Sequence, residues 1–169
     1  MRTLPPLLPP DLIAMVQRGV STIVSSCDAA LRPSIMRAAA STISPDGRSV
    51  TVYLARQQSR QLLQDVAATG HIAVVFSEPF THRTLQVKAC SADTRSAGPS
   101  DQPILARYLA AMQEEILRVG FEPVFTTAML ACQLDDVVAI SFEPTQAFDQ
   151  TPGPKAGTAL GPPAPEPAA

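Results

Sequence analysis

Three arginines and a serine lie where a chain could bind an anion. Arg37 interrupts an apolar run, Arg56 follows a strand-like run, and Ser59 and Arg60 begin a helix-like run. An arginine inside an apolar strand is costly unless its charge meets a partner, a ligand or solvent. Because the start of a helix presents unpaired N–H groups and the positive end of its dipole, Ser59 and Arg60 predict a phosphate site. A solvated surface position or a carboxylate partner remains the alternative for each arginine.

The C-terminal stretch QTPGPKAGTAL does not have the pattern of a phosphate-binding glycine loop. Such a loop places four residues between two glycines and then continues with Lys and Ser or Thr. Here Gly153 and Gly157 are closer together, and Lys155 lies between them. Pro152 and Pro154 have no N–H to donate. The stretch is therefore not predicted to bind a phosphate by itself.

Nucleophilic and metal-dependent chemistry finds little support in the residue types. Cys27, Cys90 and Cys132 are odd in number and widely spaced, which is typical of free thiols and not of a disulfide framework or a zinc site. His71 begins an apolar run and His82 falls in a loop, so structural or surface roles are expected for both. No Ser-His-Asp or Cys-His arrangement is evident.

The elements that position the arginines begin with a helix and three strands. DLIAMVQRG predicts a short helix with Asp11 as its N-cap and Gly19 as its stop. VSTIVSS, SIMRAAASTI and the alternating RSVTVYLA predict three strands in meander order. SRQLLQDVAATG, from Ser59 to Gly70, predicts a helix with an apolar stripe.

The second half of the chain adds further strands and the longest helix. HIAVVF, THRTLQVKACSA and VVAISFEP predict strands, TRSAGPSDQP predicts a loop, and PILARYLAAMQEEILRVG predicts a long amphipathic helix. FEPVFTTAMLACQL fits either a strand or a helix. The βαβ alternation and the dinucleotide-binding glycine turn are both missing, so the pattern favours a small closed barrel over a parallel sheet.

Composition sets broader bounds on the protein. A chain of 169 residues with 46% hydrophobic content predicts one domain over residues 1–149, followed by a Pro/Gly/Ala-rich arm and tail over residues 150–169. The net charge of −2 argues against nucleic acid as a partner. Four prolines interrupt the N-terminal stretch, and no run reaches the ~20 apolar residues of a membrane helix. We therefore expect a cytoplasmic, soluble protein without a membrane partner.

The order of these motifs resembles the FMN-binding split-barrel family typified by pyridoxamine 5′-phosphate oxidase. The matching stretches are STIVSSCDAALRPSIMRAAA, PDGRSVTVYLARQQSRQLLQDVAATGHIAVVFSEP and RTLQVKACS. The resemblance extends over roughly residues 12–93, and FEPTQAFDQTPGPKAG resembles the C-terminal strand and tail of some members. Each motif is short, and it is their shared order that indicates the family.

The resemblance implies a mainly β fold with flanking helices, a six-stranded antiparallel split barrel that forms a homodimer with two FMN sites between the subunits. Arg56, Ser59 and Arg60 would hold the phosphate, and the backbone of residues 53–55 would line the ring. The full set of implied cofactor-binding positions is Arg37, Tyr53, Leu54, Ala55, Arg56, Ser59, Arg60, Gln61, Gln86 and Lys88.

The sequence departs from the family at several positions. Gln61 stands where a phosphate-binding lysine is common, and Ala89 replaces a glycine and could crowd a ligand. The C-terminal arginine and histidine signature of pyridoxamine phosphate oxidases is absent, since FDQTPGPKAG stands in that region. Pyridoxal phosphate synthesis is therefore not expected. The family pattern suggests that QTPGPKAG is an extended arm across the dimer partner, and a disordered tail is expected after Gly161.

Three functions are compatible with these observations. The first is an FMN-dependent oxidoreductase of a small molecule, with a nicotinamide cofactor, NAD(P)H, as the electron donor. The second is a flavin-binding carrier or sensor that turns nothing over. The third is a heme-handling split barrel, which would need His71 or His82 as an axial ligand. The sequence leaves the substrate and the electron donor open.

Overall fold

A computed structural model describes residues 7–161. The ten strands of this range are β1 (Ser21–Cys27), β2 (Pro33–Arg37), β3 (Ala40–Ile43), β4 (Val50–Ala55), β5 (Ile72–Ser77), β6 (Thr84–Ala89), β7 (Ala92–Ser96), β8 (Val137–Phe142), β9 (Gln146–Asp149) and β10 (Thr158–Leu160). The α-helices are α1 (Pro10–Gln17), α2 (Arg60–Thr69), α3 (Gln102–Arg118) and α4 (Pro123–Met129). The prediction of a mainly β protein with flanking helices is confirmed.

The strands form two antiparallel sheets. Sheet A has the order β10-β9-β6-β5-β1-β2, and sheet B has the order β3-β4-β8-β7. The expected architecture differs in one respect, because the two sheets stay separate and do not close into one continuous barrel of six strands. Sheet A itself has six strands, and the further strands make up sheet B.

The main core lies between the inner faces of the two sheets. Alternate residues of β1, β5 and β6 are buried, as the two-residue period of a strand requires. Val24, Val74 and Val87 of sheet A belong to one apolar cluster with Val52 and Ile140 of sheet B. The opposite surface of sheet A, called its outer face below, carries the half-buried and exposed residues of the same strands.

The run SIMRAAASTI is divided between the sheets and is not one strand. β2 ends at Arg37 at the edge of sheet A, and β3 begins at Ala40 at the edge of sheet B. The amide of Ala38 donates to Thr22 in sheet A (2.9 Å), and the amide of Ala39 donates to the carbonyl of Tyr53 in sheet B (2.7 Å). The chain therefore passes from one sheet to the other within two residues.

The ends of the first two helices only partly follow the predicted signals. α1 begins at Pro10 with Pro9 at the N-cap, so the expected capping by Asp11 is wrong. The Asp11 carboxylate instead forms an ion pair with Arg83. The stop of α2 is as predicted: Gly70 has a left-handed φ of 68°, and an added Cβ there would lie 2.6 Å from the carbonyl oxygen of Cys90.

One predicted loop is partly a strand, and one ambiguous segment is a helix. Part of the expected loop TRSAGPSDQP belongs to β7, an exposed edge strand of sheet B whose polar residues do not show an apolar alternation. The ambiguous FEPVFTTAMLACQL contains α4. No helix within residues 7–161 combines the length and apolar content that a bilayer crossing requires.

The C-terminal stretch forms a hairpin within its own chain. β10 pairs with β9 at the edge of sheet A, and residues 150–157 connect them, with positive φ at Gly153 and Gly157. The amide of Gly157 donates to the carbonyl of Asp149 (2.7 Å), and the amide of Gln150 donates to that of Thr84 (2.9 Å). Residues 150–157 therefore form a turn and not the expected extended arm, and their contact with a partner stays a prediction. The expected tail, residues 162–169, lies outside the described residues.

A buried carboxylate fixes α3 against sheet B. Asp101, which is 2% exposed, accepts hydrogen bonds from Arg95 Nη1 and Nη2 (both 2.7 Å), from the Tyr53 hydroxyl (3.0 Å) and from the amide of Gly98 (2.9 Å). The Arg95 hydrogen bonds hold the pKa of Asp101 well below its usual range. Burial, together with this carboxylate, raises the pKa of Tyr53 to about 12. The network joins β4, β7 and the start of α3.

Replacing Asp101 by Asn is expected to lower the free energy of unfolding at pH 7 by about 2 kcal/mol, because charge-assisted hydrogen bonds are lost. Since the folded-state pKa of Asp101 is depressed, its stabilisation is present above the unfolded value of about 4 and fades as the pH falls below it. Denaturant unfolding between pH 3 and pH 7 measures both effects. The exposed Asp93→Asn variant is the control. If the difference in the free energy of unfolding between Asp101→Asn and the parent stayed constant with pH, the depressed pKa of Asp101 would be contradicted.

Candidate functional site

The start of α2 contains a buried hydroxyl with no partner. Ser59 occupies the N-cap position just after the turn that leaves β4, and its amide donates to the carbonyl of Ala55 (3.0 Å). The side chain is 2% exposed, yet it makes no capping hydrogen bond, and its Oγ has no hydrogen-bond partner within residues 7–161. An unsatisfied buried hydroxyl is unfavourable, so the Ser59 hydroxyl has the capacity for one further hydrogen bond. Glu115 Oε2 and Thr126 Oγ1 share this lack of a partner, but Ser59 alone of the three is at a helix N-cap.

Two guanidinium groups lie next to this hydroxyl in the sequence. Arg60 is the exposed first residue of α2 and makes no hydrogen bond or ion pair with any described side chain. Arg56 Nη2 donates to the neutral Ser96 Oγ (2.9 Å), and its amide donates to the carbonyl of Asp136 (2.6 Å). The first turn of α2 has no acidic residue. Helix dipole, free amides and cationic side chains all therefore favour an anion here.

Gln61 contributes no charge to this anion site. Its Nε2 donates to Asp65 Oδ1 one turn further along α2 (2.8 Å), and Ser34 Oγ donates to Asp65 Oδ2 (2.5 Å). The side-chain amide of Gln61 is thus hydrogen-bonded to the buried Asp65 carboxylate. The positive charge at the start of α2 comes from the two arginines.

A polar cleft of about 510 Å³ lies beside the end of β4. Ala55, Gln57 and Gln133 line it together with Asp135 and Asp136. The amide of Gln57 donates to Asp136 Oδ1 (3.2 Å), so one carboxylate is partly satisfied. The cleft offers amide donors and acceptors beside two negative charges, which suits a neutral hydrogen-bonding group better than a second anion.

The pKa of the Cys132 thiol, at the far wall of this cleft, is raised by burial and by the charge of Asp136. A raised thiol pKa disfavours the reactive thiolate. Cys132 therefore lacks the environment of an activated nucleophile.

Of the three neighbouring positions 53–55, only Ala55 reaches the cleft. Tyr53 is buried under α3, and its hydroxyl is bonded to Asp101. Leu54 is buried in the main core. Their side chains fix β4, and it is the end of the strand that borders the cleft.

Gln86 and Lys88 lie on the outer face of sheet A. Their strand partners Val75 and Ala73 share that face. Gln86 Oε1 accepts a hydrogen bond from Gln150 (3.3 Å), and Lys88 Nζ lies 5.0 Å from the centroid of the Phe148 ring. Ala89 points the other way, into the main core, so its methyl group does not crowd the outer face.

Arg37 is on the same outer face and is not brought to the start of α2. Ser34 and Met36 alternate with it along β2, and Ser34 contacts α2, so Arg37 projects from the opposite side of the strand. Its Nη1 donates to Ser21 Oγ (2.7 Å). The predicted site residues thus form two groups in one chain, one at the start of α2 and the other on the outer face.

The two histidines lie apart from the polar cleft. His71 is exposed just before β5, with Nδ1 4.0 Å from Cys27 Sγ. His82 is exposed in the turn between β5 and β6, with a φ of 60°. Neither lines the cleft beside β4.

Sequence reasoning missed the far wall of the cleft. Gln57 could have been included, because it lies between two predicted residues, Arg56 and Ser59, in the same turn. Gln133 and Asp136 come from a segment about 80 residues later, and no local signal places them beside β4.

The fold, but not the sequence, matches known proteins. No family model matches the chain, and no curated protein matches it in sequence. An F420 reductase superposes with a TM-score of 0.56 at 16% identity, covering 83% of this chain and 98% of that one. HupZ of Group A Streptococcus superposes with a TM-score of 0.54 at 13% identity, covering 89% of this chain and 100% of that one. A presumed pyridoxamine 5′-phosphate oxidase of Lactobacillus delbrueckii superposes with a TM-score of 0.51 at 11% identity, covering 83% of this chain and 93% of that one.

The chain has the split-barrel fold of pyridoxamine 5′-phosphate oxidase-like proteins. The resemblance inferred from the motif order is confirmed at the level of the fold.

Because the Ser59 hydroxyl has no partner, a Ser59→Ala variant is expected to keep the free energy of unfolding within about 0.5 kcal/mol of the parent, unlike a typical N-cap replacement, which costs about 1 kcal/mol. Denaturant unfolding of the ligand-free protein measures this. Ser44→Ala is the comparison and should destabilise the protein. It removes a hydroxyl that donates to Asp46 (2.5 Å) and accepts from the amide of Ser49 (2.9 Å). A loss above about 1 kcal/mol for Ser59→Ala would show that the hydroxyl already has a stabilising role.

Proposed function

We propose that this protein binds FMN, with the phosphate at the start of α2. The observation that carries the proposal is the buried Ser59 Oγ without a partner at a helix N-terminus. A phosphate oxygen accepts a hydrogen bond from such a hydroxyl and from the free amides of the first turn. The residues present therefore fit a phosphate.

The charge around Ser59 supports the same assignment. Arg60 and Arg56 make no ion pair within residues 7–161, so their guanidinium groups are available to the phosphate oxygens. Each charge-assisted hydrogen bond contributes about 1.5–3 kcal/mol. Arg60 takes the place of the lysine that Gln61 does not supply.

The polar cleft beside Ala55 is the proposed place for the ring. Its Gln57 and Gln133 side chains offer donors and acceptors to the heteroatoms of a flavin edge. When bound, FMN supplies the redox chemistry, by accepting and returning a hydride. The chain contributes orientation: the phosphate is held at α2, and the end of β4 limits how far the ring enters.

We further propose that two copies of the chain pair through the outer face of sheet A. Ile35 on the edge strand is 69% exposed, and Ile23 and Val75 beside it are only half-buried. Apolar side chains exposed among polar ones on a sheet face are typical of an interface. Pairing brings Gln86 and Lys88 of one copy toward the flavin of the other. Flavin contact by Arg37 stays a prediction from the family resemblance.

The proposed activity is FMN-dependent oxidation or reduction of a small molecule, with NAD(P)H as the electron donor. Two of the proteins that share the fold, the F420 reductase and the presumed pyridoxamine 5′-phosphate oxidase, carry redox activities in their names. Pyridoxal phosphate synthesis is not proposed, because residues 150–157 form a turn whose only cation is Lys155.

Titration of the purified protein with FMN, followed by flavin absorbance and fluorescence, tests the binding. We expect saturable binding that weakens about fivefold in Ser59→Ala and about tenfold in Arg60→Gln, since each removes one phosphate contact. Arg107→Gln, a matched change at an exposed arginine that contacts Thr42, is the control. Binding that is unchanged in both site variants would reject the phosphate site.

Flavin reduction by NADH and NADPH under anaerobic conditions then tests the enzyme. Reduction supports the oxidoreductase, whereas tight FMN binding without reduction would favour the carrier or sensor.

Replacing Ile35 by Glu is expected to convert a dimer to a monomer, because pairing would bury an uncompensated charge on each copy. Sedimentation velocity over a range of protein concentrations measures the change. Leu31→Glu is the matched control, since Leu31 is also exposed but lies in the turn before β2. A parent protein that sediments as a monomer at all concentrations would contradict the pairing.

A further inference from the structure

A second cleft, of about 460 Å³, lies between the helices α3 and α4 and the outer face of sheet A. We call it the α3–α4 cleft. Its floor is formed by Ser21 and Arg37 of the sheet, and its wall by Met112 and Ile116 of α3 with Met129 of α4. It shares no lining residue with the polar cleft beside Ala55.

The wall of this cleft is apolar and continues onto the surface. Phe125 lines the cleft and stacks on Phe121, with ring centroids 5.3 Å apart. Val124 is 72% exposed, and Leu117 on the neighbouring helix is also largely exposed. A contiguous apolar surface beside a pocket is typical of a binding site and is costly to leave in water.

The floor carries one positive charge that the chain does not neutralise. Arg37 hydrogen-bonds only to the neutral Ser21 hydroxyl, and no carboxylate within residues 7–161 forms an ion pair with it. Glu78 also lines the cleft, but its Oε1 accepts from Arg18 (2.8 Å) and its Oε2 accepts from Thr81 (2.5 Å). The other titratable group at the rim is His82. The net electrostatic preference of the cleft is for an anion.

We propose that the α3–α4 cleft binds a small amphiphilic carboxylic acid, with its carboxylate on Arg37 and its apolar tail along Met112, Ile116 and Met129. A planar guanidinium matches a carboxylate with two parallel hydrogen bonds. One unpaired arginine in a mostly apolar pocket suits a single charge on an apolar body better than a phosphate. The tail extends toward Phe125 and Phe121, whose exposed rings it covers.

Within one chain, the α3–α4 cleft is separate from the proposed phosphate site. Arg37 projects from the side of β2 opposite to α2, whereas the phosphate site lies at the first turn of that helix. The acid is therefore either a second ligand or a substrate that enters from the outer face. Its binding is expected in protein to which no flavin has been added.

Calorimetric titration with decanoate and with uncharged decanol, both at concentrations below aggregation, tests the proposal. The parent protein should bind decanoate at least tenfold more tightly than decanol, because the carboxylate pairs with Arg37. Arg37→Gln should remove that difference while leaving decanol binding unchanged. Phe125→Ser should weaken both ligands severalfold, and Arg107→Gln should alter neither. Circular dichroism confirms that each variant is folded.

Three results would overturn the proposal. Equal affinity for decanoate and decanol would show that the cleft recognises no charge. An unchanged preference in Arg37→Gln would place the carboxylate elsewhere. Competitive displacement of decanoate by FMN would assign the cleft to the flavin. Failure of the flavin proposal alone is a separate result, and it would appear as unchanged FMN binding in Ser59→Ala.

Discussion

The pairing of the buried Asp101 carboxylate is the interaction that ties the start of α3 to sheet B. A buried charge is costly unless it is paired and hydrogen-bonded, and Asp101 is bonded to Arg95, Tyr53 and a backbone amide at once. Because these partners come from β4 and β7, the start of α3 has one position against sheet B. α3 and α4 form a wall of the α3–α4 cleft, and further along α3 the buried Tyr108 and Met112 pack against sheet B, so this wall is held at both places.

The strands whose one face is buried were predictable, because the period of two is visible in the sequence. Val24, Val74 and Val87 all mark inner positions of their strands. The crossing after Arg37 was not predictable, since residues 38 and 39 continue an apolar run and differ only in which distant strand accepts their hydrogen bonds. β7 was missed for a similar reason: an exposed edge strand is stabilised by pairing with β8 and shows no apolar alternation.

The candidate site was predictable to the extent that it follows local rules. A serine before an apolar helical stripe predicts an N-cap, and Ser59 is at that position. Its burial without a partner depends on how β4 and α2 pack, which no local pattern encodes. The separation of Arg37 from Ser59 follows from strand alternation once Ser34 is known to face α2, and that contact joins residues 31 positions apart.

The two-residue crossing between β2 and β3 also bears on how the two sheets are joined. Ala38 and Ala39 are each hydrogen-bonded to a different sheet, so the corner is tied on both sides by the backbone. Arg37, which forms part of the floor of the α3–α4 cleft, is the residue immediately before this corner. A ligand that pairs with Arg37 would therefore bind at the point where the chain leaves one sheet and enters the other.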